Sequence, residues 1–276
     1  MPELPEVEHV VRALHRAVVG RRILAVELRL PRLLVQPSPS SFKRKLRGSG
    51  ITGVTRRGKY ILIALDNDHL LLVHLRMTGK FVSVGLDDPL PPYPHVIFHL
   101  DNHRRLVFSD MRQFGRMRLL SSKALKELAQ IQALAPEPLL DEFTTEYFFA
   151  TLRKSRRSLK QLLLDQTKIL GLGNIYASEA LFLARISPFK SADTLSRKRG
   201  LLLYEAIRKV LHEAIEAGST LKIDLNDRNG NYFGSDERFW RVYEREGEPC
   251  VNCGTKIRRA VQGGRSTYFC PRCQRR

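Results

Sequence analysis

The chain has 276 residues, 43% of them apolar, enough to fold as one large domain or two ordinary ones and too many for a disordered tail. Its 47 Lys and Arg against 28 Asp and Glu leave a formal charge of +19, so a polyanion, nucleic acid above all, is the expected partner. No apolar run approaches the ~20 residues of a membrane-spanning helix, and the acidic start is unlike a secretory signal; a cytoplasmic protein with no membrane partner is therefore expected.

The chain begins MPELPEVE, an unusual concentration of acids and prolines for the end of a basic protein. Val7, Val10, Val11, Leu14 and Val18 then recur at helical spacing, with Pro5 suited to a first turn and Gly20 to a stop, which predicts a helix over 5–19. From Ile23 to about Leu120 the texture becomes short β-branched and apolar runs: YILIAL (60–65), HLLLVHL (69–75), HVIFHL (95–100) and RRLVFS (104–109). Such runs suggest an antiparallel sandwich or barrel. PLPPYP (89–94) reads as an extended surface loop and PEPLLDE (136–142) as part of a connector.

Helical patterning follows in SLKQLLLDQ (158–166), NIYASEALFLARI (174–186) and a long segment from about Ser196 to Ala217. RKSRRSLK (153–160) packs five cations into eight residues, a pattern that serves equally as a solvated face or a backbone grip. Beside it, Gly171-Leu172-Gly173-Asn174 opens a helix with free N–H groups, a plausible phosphate seat. It is not a nucleotide P-loop, since no Gly-Lys-Ser/Thr follows.

The four cysteines are all at the C-terminal end. Cys250 and Cys253, then sixteen residues, then Cys270 and Cys273 form two C-x2-C knuckles, the ligand set of a tetrahedral zinc ion (Zn2+). With every position filled by sulfur the ion is structural, and in so small a unit it contributes most of the folding energy, on the order of 10 kcal/mol. Lys256, Arg258, Arg259 and Arg265 lie between the knuckles, which makes the hairpin a candidate probe of phosphates.

MPELPEVE, RRGKY (56–60), HLRMTG (74–79), DMRQFG (110–115), LLLDQ followed by GLGNIYASEALF (162–182) and the four-cysteine finger occur in one order. That order, running the length of the chain, resembles the bacterial formamidopyrimidine-DNA glycosylase family, base-excision repair enzymes that remove 8-oxoguanine and ring-opened purines. The resemblance implies an α+β multidomain protein: an N-terminal antiparallel β-sandwich (1–130), a connector (131–150), a helix-two-turns-helix domain (151–240) and a C-terminal β-hairpin zinc finger (241–276). It implies one zinc ion, a monomer, and damaged double-stranded DNA held between the two halves.

It also implies roles for particular residues. Removal of Met1 would free the secondary amine of Pro2, which can attack C1′ of a damaged nucleotide and form a Schiff base, so that base loss and β,δ-elimination share one intermediate. Glu3 would hand a proton to the sugar, with Glu6 supporting the site and Glu8 structural. Lys59 would contact phosphate and assist elimination, as would Arg265. His74, Lys160 and Asn174 would grip the backbone, while Met77, Arg112 and Phe114 would fill the hole left by an everted base.

Departures from the family pattern are local. In AGSTLKIDLNDRNGNYFG (217–234), Ser219, Thr220 and Lys222 resemble the loop that reads the damaged base, but IDLND is not its usual continuation, and Glu244 stands where glycine is common. Two rival readings remain: an endonuclease VIII-like enzyme for oxidised pyrimidines, and a catalytically silent zinc DNA-binding protein. Leu4 and the complete Met77, Arg112 and Phe114 set weigh against the first, and intact Pro2, Glu3 and Lys59 against the second.

Overall fold

The computed structural model describes residues 2–216, 223–227 and 240–275. Two compact units emerge, each assembled from two stretches of chain: Met1–Gln132 with Leu221–Ser235, and Ala133–Thr220 with Asp236–Arg276. Ser219, Thr220 and Lys222 lie outside the described residues.

The first unit opens with helix α1 (Leu4–Val18). The Glu6 carboxylate accepts the Glu3 backbone N–H at 2.8 Å as half of a capping box, and Pro5 occupies the first turn. Gly20, at φ +80°, adopts the left-handed turn that ends the helix. The predicted apolar stripe is the buried face: Val7, Val10, Val11, Leu14 and Val18 join the main core.

Nine strands follow: β1 (Ile23–Leu28), β2 (Leu34–Gln36), β3 (Ile51–Arg57), β4 (Tyr60–Leu65), β5 (His69–His74), β6 (Gly79–Gly85), β7 (Pro94–Leu100), β8 (Arg104–Asp110) and β9 (Arg116–Ser121). They form a four-stranded sheet ordered β1-β7-β8-β6 and a five-stranded sheet ordered β2-β9-β5-β4-β3. All neighbours are antiparallel except β2 and β9, which run parallel, an exception the alternating runs could not signal because β2 has only three residues. Alternate residues point inward: Ile61, Ile63, Leu71 and Val73 of one sheet meet Phe81, Val96, Phe98 and Phe108 of the other in a shared core. Burying each such side chain contributes ~1.5–3 kcal/mol. Helix α2 (Pro39–Leu46) adds Phe42 and Leu46, and α3 (Ser122–Glu127) and α4 (Ala129–Gln132) close the stretch.

The departure at IDLND has a structural use. Strand β6 is a sheet edge, and its Ser83 N–H donates to the carbonyl of Leu225 at 2.6 Å. Leu225 is buried in the sandwich core, and Arg104 bridges the Ser83 hydroxyl (2.9 Å) and the Asn226 side-chain oxygen (2.6 Å). The segment thus covers an otherwise open edge, which an apolar Leu at that position allows.

The second unit is helical: α5 (Thr145–Arg153), α6 (Leu159–Leu163), α7 (Asn174–Leu183) and α8 (Arg197–Glu216). Helix α5 and the residues from 133 onward cluster with this unit, so the expected connector over 131–150 is part of a folded body. The chain ends in a hairpin of β10 (Arg258–Gln262) and β11 (Arg265–Phe269), turned by Gly263 and Gly264, both at positive φ as a tight two-residue turn requires. No described helix is long and apolar enough to cross a membrane.

Candidate active site

In the first unit, Pro2, Glu3 and Lys59 are all buried; Glu3 is 2% and Lys59 5% exposed. Pro2 and Glu3 directly precede α1, which packs on β3 and β4, and Lys59 sits in the turn between those two strands after Gly58. The helix is tied to that turn by Glu8, whose carboxylate pairs with Arg56 of β3 at 2.7 Å and with Arg12 at 2.8 Å. Burial alone would raise the Glu8 pKa, but Arg56 and then Arg12 hold it below the usual carboxylate range. Glu8 is therefore a strut that fixes α1 against the strand leading to Lys59.

His74 ends β5 beside the same turn. Its Nδ1 accepts the Arg76 backbone N–H at 3.0 Å, and its ring meets Tyr60 edge-on at 4.8 Å. Burial, with the charges of Arg76 and Lys59, pushes its pKa down to about 3, so at neutral pH the ring is uncharged and its Nε2 carries the proton.

Met77, Arg112 and Phe114 project from two neighbouring loops. Met77 is 37% and Phe114 48% exposed, unlike ordinary core residues, and the Arg112 guanidinium stacks on the Phe114 ring at 4.8 Å. A residue not foreseen from sequence organises both loops. The carboxylate of Asp110, wholly buried, accepts from the Thr78 hydroxyl and from the Gly115 N–H (2.8 Å), while the Thr78 oxygen accepts the Arg112 N–H at 3.0 Å. An Asp ending a strand just before a turn that returns to Gly was the available signal.

In the second unit, Asn174 begins α7 directly after Gly173, and its side-chain oxygen is buried with no hydrogen-bond partner among the described residues. Gln166 braces the preceding turn, accepting from the Gly171 N–H (2.9 Å) and donating to the Leu172 carbonyl (2.8 Å). Arg265 is exposed at the start of β11.

Lys160 differs from the expectation of a phosphate contact. It is 1% exposed, and its ammonium donates to the Ser266 carbonyl (2.7 Å) and the Thr267 hydroxyl (3.0 Å), the two residues that follow Arg265. An ammonium can be buried only when its donors are satisfied, and here the hairpin satisfies them. Two further buried side chains dock the finger. Glu179 of α7 accepts the backbone N–H groups of Arg241, Val242 and Tyr243 at 2.9–3.0 Å, and Gln274 joins the Cys270 N–H to the Ile186 carbonyl.

The thiol sulfurs of Cys250, Cys253, Cys270 and Cys273 all lie within 4.8 Å of one another, with 3.9 Å between Cys250 and Cys273 and 3.5 Å between Cys253 and Cys270. Four thiolates at ~2.3 Å from a tetrahedral zinc ion stand ~3.8 Å apart, so the donor set fits that metal. Backbone N–H groups of Asn252 and Cys273 point at sulfur, at 3.4 Å each, as knuckle turns around a thiolate do.

In the first unit, buried Pro2, Glu3 and Lys59 and the exposed Met77, Arg112 and Phe114, and, in the second, a basic hairpin beside a four-cysteine zinc site, point to a class: zinc-finger DNA-repair proteins. Comparison with known proteins gives the particular family. Residues 1–117 match the formamidopyrimidine-DNA glycosylase N-terminal domain, 134–224 its H2TH domain, and 247–276 the zinc finger found in FPG and IleRS. The formamidopyrimidine-DNA glycosylase of Pelotomaculum thermopropionicum is 48% identical over 275 residues, covering 100% of this chain and 99% of its own length. That of Herpetosiphon aurantiacus is 44% identical over 275 residues, covering 99% of this chain and all of its own. Among solved structures, MutM in complex with DNA containing carbocyclic 8-oxo-G superposes with a TM-score of 0.91 at 36% identity over the whole of both chains. Lactococcus lactis Fpg bound to abasic-site DNA gives 0.92 at 35% identity, covering 99% of this chain and all of its own. The chain belongs to the formamidopyrimidine-DNA glycosylase family.

Proposed function

We propose that this protein is a monomeric, cytoplasmic base-excision repair enzyme that removes oxidised purines (8-oxoguanine and formamidopyrimidines) from double-stranded DNA and then cleaves the strand at the abasic site. The observation that carries the reading is the burial of Pro2, Glu3 and Lys59 around the N-terminus of α1 and the adjoining β3–β4 turn.

With Met1 removed, the Pro2 nitrogen is a secondary amine. Attack requires its neutral form, with the lone pair free. Its lone pair attacks C1′; the C1′–N bond to the base breaks, and the base leaves with its electron pair and takes up the proton released from the proline nitrogen. Glu3 gives a proton to the ring oxygen as the sugar opens, leaving an iminium in which the C2′ proton is acidic. Loss of that proton expels the 3′ phosphate, and a second elimination expels the 5′ phosphate, with Lys59 and Arg265 neutralising the departing groups. Met77, Arg112 and Phe114 occupy the space of the everted nucleotide; unstacking costs a few kcal/mol, and the wedge offsets part of it. His74 and Asn174 hold backbone phosphates, and Lys160 acts through the hairpin that carries Arg265. The zinc ion, held by Cys250, Cys253, Cys270 and Cys273, supplies the hairpin's fold and takes no part in the chemistry.

Borohydride trapping tests the reading. A duplex with 8-oxoguanine opposite cytosine should cross-link; stronger trapping on a thymine glycol duplex would assign the enzyme to oxidised pyrimidines, and trapping on neither would leave a silent binder.

A further inference from the structure

The face of the five-stranded sheet turned away from the core carries a pocket of which only His74 has a role above. Leu71, Val73, Met117 and Leu119 point into the core, so Leu72 and His74 on β5 and Arg116 and Arg118 on β9 point out. Register brings them together: His74 lies opposite both Tyr60 and Arg116, and Leu72 opposite Arg118. With Arg76 and Val35 they enclose a cavity of about 290 Å³.

Three guanidinium groups therefore face one cavity, and among the described residues no carboxylate pairs with any of them. Elsewhere in this unit Arg12, Arg22, Arg29 and Arg56 do each pair with an acid. Arg116 donates through Nη1 to the Gly115 carbonyl at 2.8 Å and to the Phe114 carbonyl at 3.4 Å, and keeps its Nε and Nη2 donors. His74 offers a neutral Nε2–H, its other nitrogen being engaged by the Arg76 N–H. Arg76 reaches that position at φ +58°, a left-handed conformation that costs a residue with a side chain about 1 kcal/mol or more and persists only where the surroundings enforce it. Guanidinium forks suit phosphate oxygens, and Leu72 and Val35 give the cavity apolar wall against which a deoxyribose can lie.

We propose that this pocket is an accessory phosphate seat for a DNA strand that continues beyond the reacting nucleotide across the outer face of the sheet. The proposal rests on the repair reading above, and His74, shared by the pocket and the backbone-gripping set, makes the two continuous. A free phosphate or nucleotide would use the same donors, so the test must separate the sources.

The test compares the parental protein, the double variant Arg116→Gln/Arg118→Gln and the charge-retaining Arg116→Lys/Arg118→Lys on undamaged duplexes of two lengths, one confined to the lesion neighbourhood and one extending well past it. The long duplex should bind the Gln pair about tenfold more weakly than the parental protein, with the slope of log affinity on log salt reduced by about one unit, and the Lys pair should recover the slope. Equal slopes and equal long-over-short ratios for the parental and Gln proteins would overturn the proposal. So would stabilisation of the parental protein, but not the Gln pair, by inorganic phosphate at fixed ionic strength with no effect of duplex length, because the seat would then serve a free anion. Failure of the parental protein to trap on lesion DNA, with the length effect intact, would sink the repair reading and leave the seat standing.

Discussion

The Thr78 hydroxyl donates to the buried Asp110 carboxylate, and the same oxygen accepts the backbone N–H of Arg112. One hydroxyl thus joins the loop that carries Met77 to the loop that carries Arg112 and Phe114. The glycines at the loop ends permit the approach: a Cβ on Gly79 would stand 2.5 Å from the Leu75 carbonyl oxygen, and one on Gly115 would stand 2.7 Å from the Phe108 ring.

Replacing Thr78 by Val keeps the shape and removes both hydrogen bonds. It leaves a buried carboxylate short of a donor, which costs about 1–3 kcal/mol. Thermal unfolding should register that loss, and excision of a paired lesion should fall more than cleavage of a preformed abasic site, because only the former needs the whole wedge. Equal loss of both activities would argue against the hydroxyl as the organiser of the wedge.

Lys160 and Arg265 separate two kinds of cation. Arg265→Ala removes an exposed charge and should weaken binding to all duplexes alike, with the salt slope reduced by about one unit and stability unchanged. Lys160→Met leaves the Ser266 carbonyl and Thr267 hydroxyl without their donor, so it should lower the unfolding temperature as well as the DNA affinity. A Lys160→Met protein with parental stability and a slope reduced by one would make Lys160 a direct phosphate contact.

Sequence patterning carried most of the architecture and little of this bracing. Strands such as Tyr60–Leu65 and helices such as Leu4–Val18 announce themselves through period-two and period-3.6 burial, which is local. Lys160 stands in a run of cations that reads as surface, and its partner Thr267 lies 107 residues further on. Asp110 and Thr78 are 32 residues apart and meet only because β6 and β8 are neighbours. Long-range polar pairs leave no periodic trace, so the residues that touch DNA in the proposed mechanism were easier to nominate than those that hold them in place. The parallel β2–β9 pairing was hidden for the same reason.

The depressed pKa of His74, about 3, fixes a pH dependence. As pH falls through the ordinary value near 6.5, the unfolded chain takes up a proton at this position and the folded chain does not. Stability from this group is therefore level above pH 6.5 and declines from there toward pH 3. A nuclear magnetic resonance titration should find the His74 ring neutral down to pH 5, whereas a midpoint near 6.5 would contradict the burial and charge environment described.

Chelation of zinc should release the hairpin. Val242, Cys250, Ile257 and Cys270 form one small cluster with Phe182, too little apolar surface to fold alone without the metal. Metal-free protein should lose DNA affinity by at least tenfold and regain it on addition of one equivalent of zinc, as read by fluorescence anisotropy. Full affinity without metal would show that the finger folds unaided.

The most direct measurement is the site of the trapped cross-link. Borohydride reduction of the reaction on 8-oxoguanine DNA, followed by digestion and mass spectrometry, should place the reduced sugar on the nitrogen of Pro2 in a chain that has lost Met1. A reduced adduct on Lys59 or any other side chain, or an active protein that still carries Met1, would contradict the mechanism at its first step.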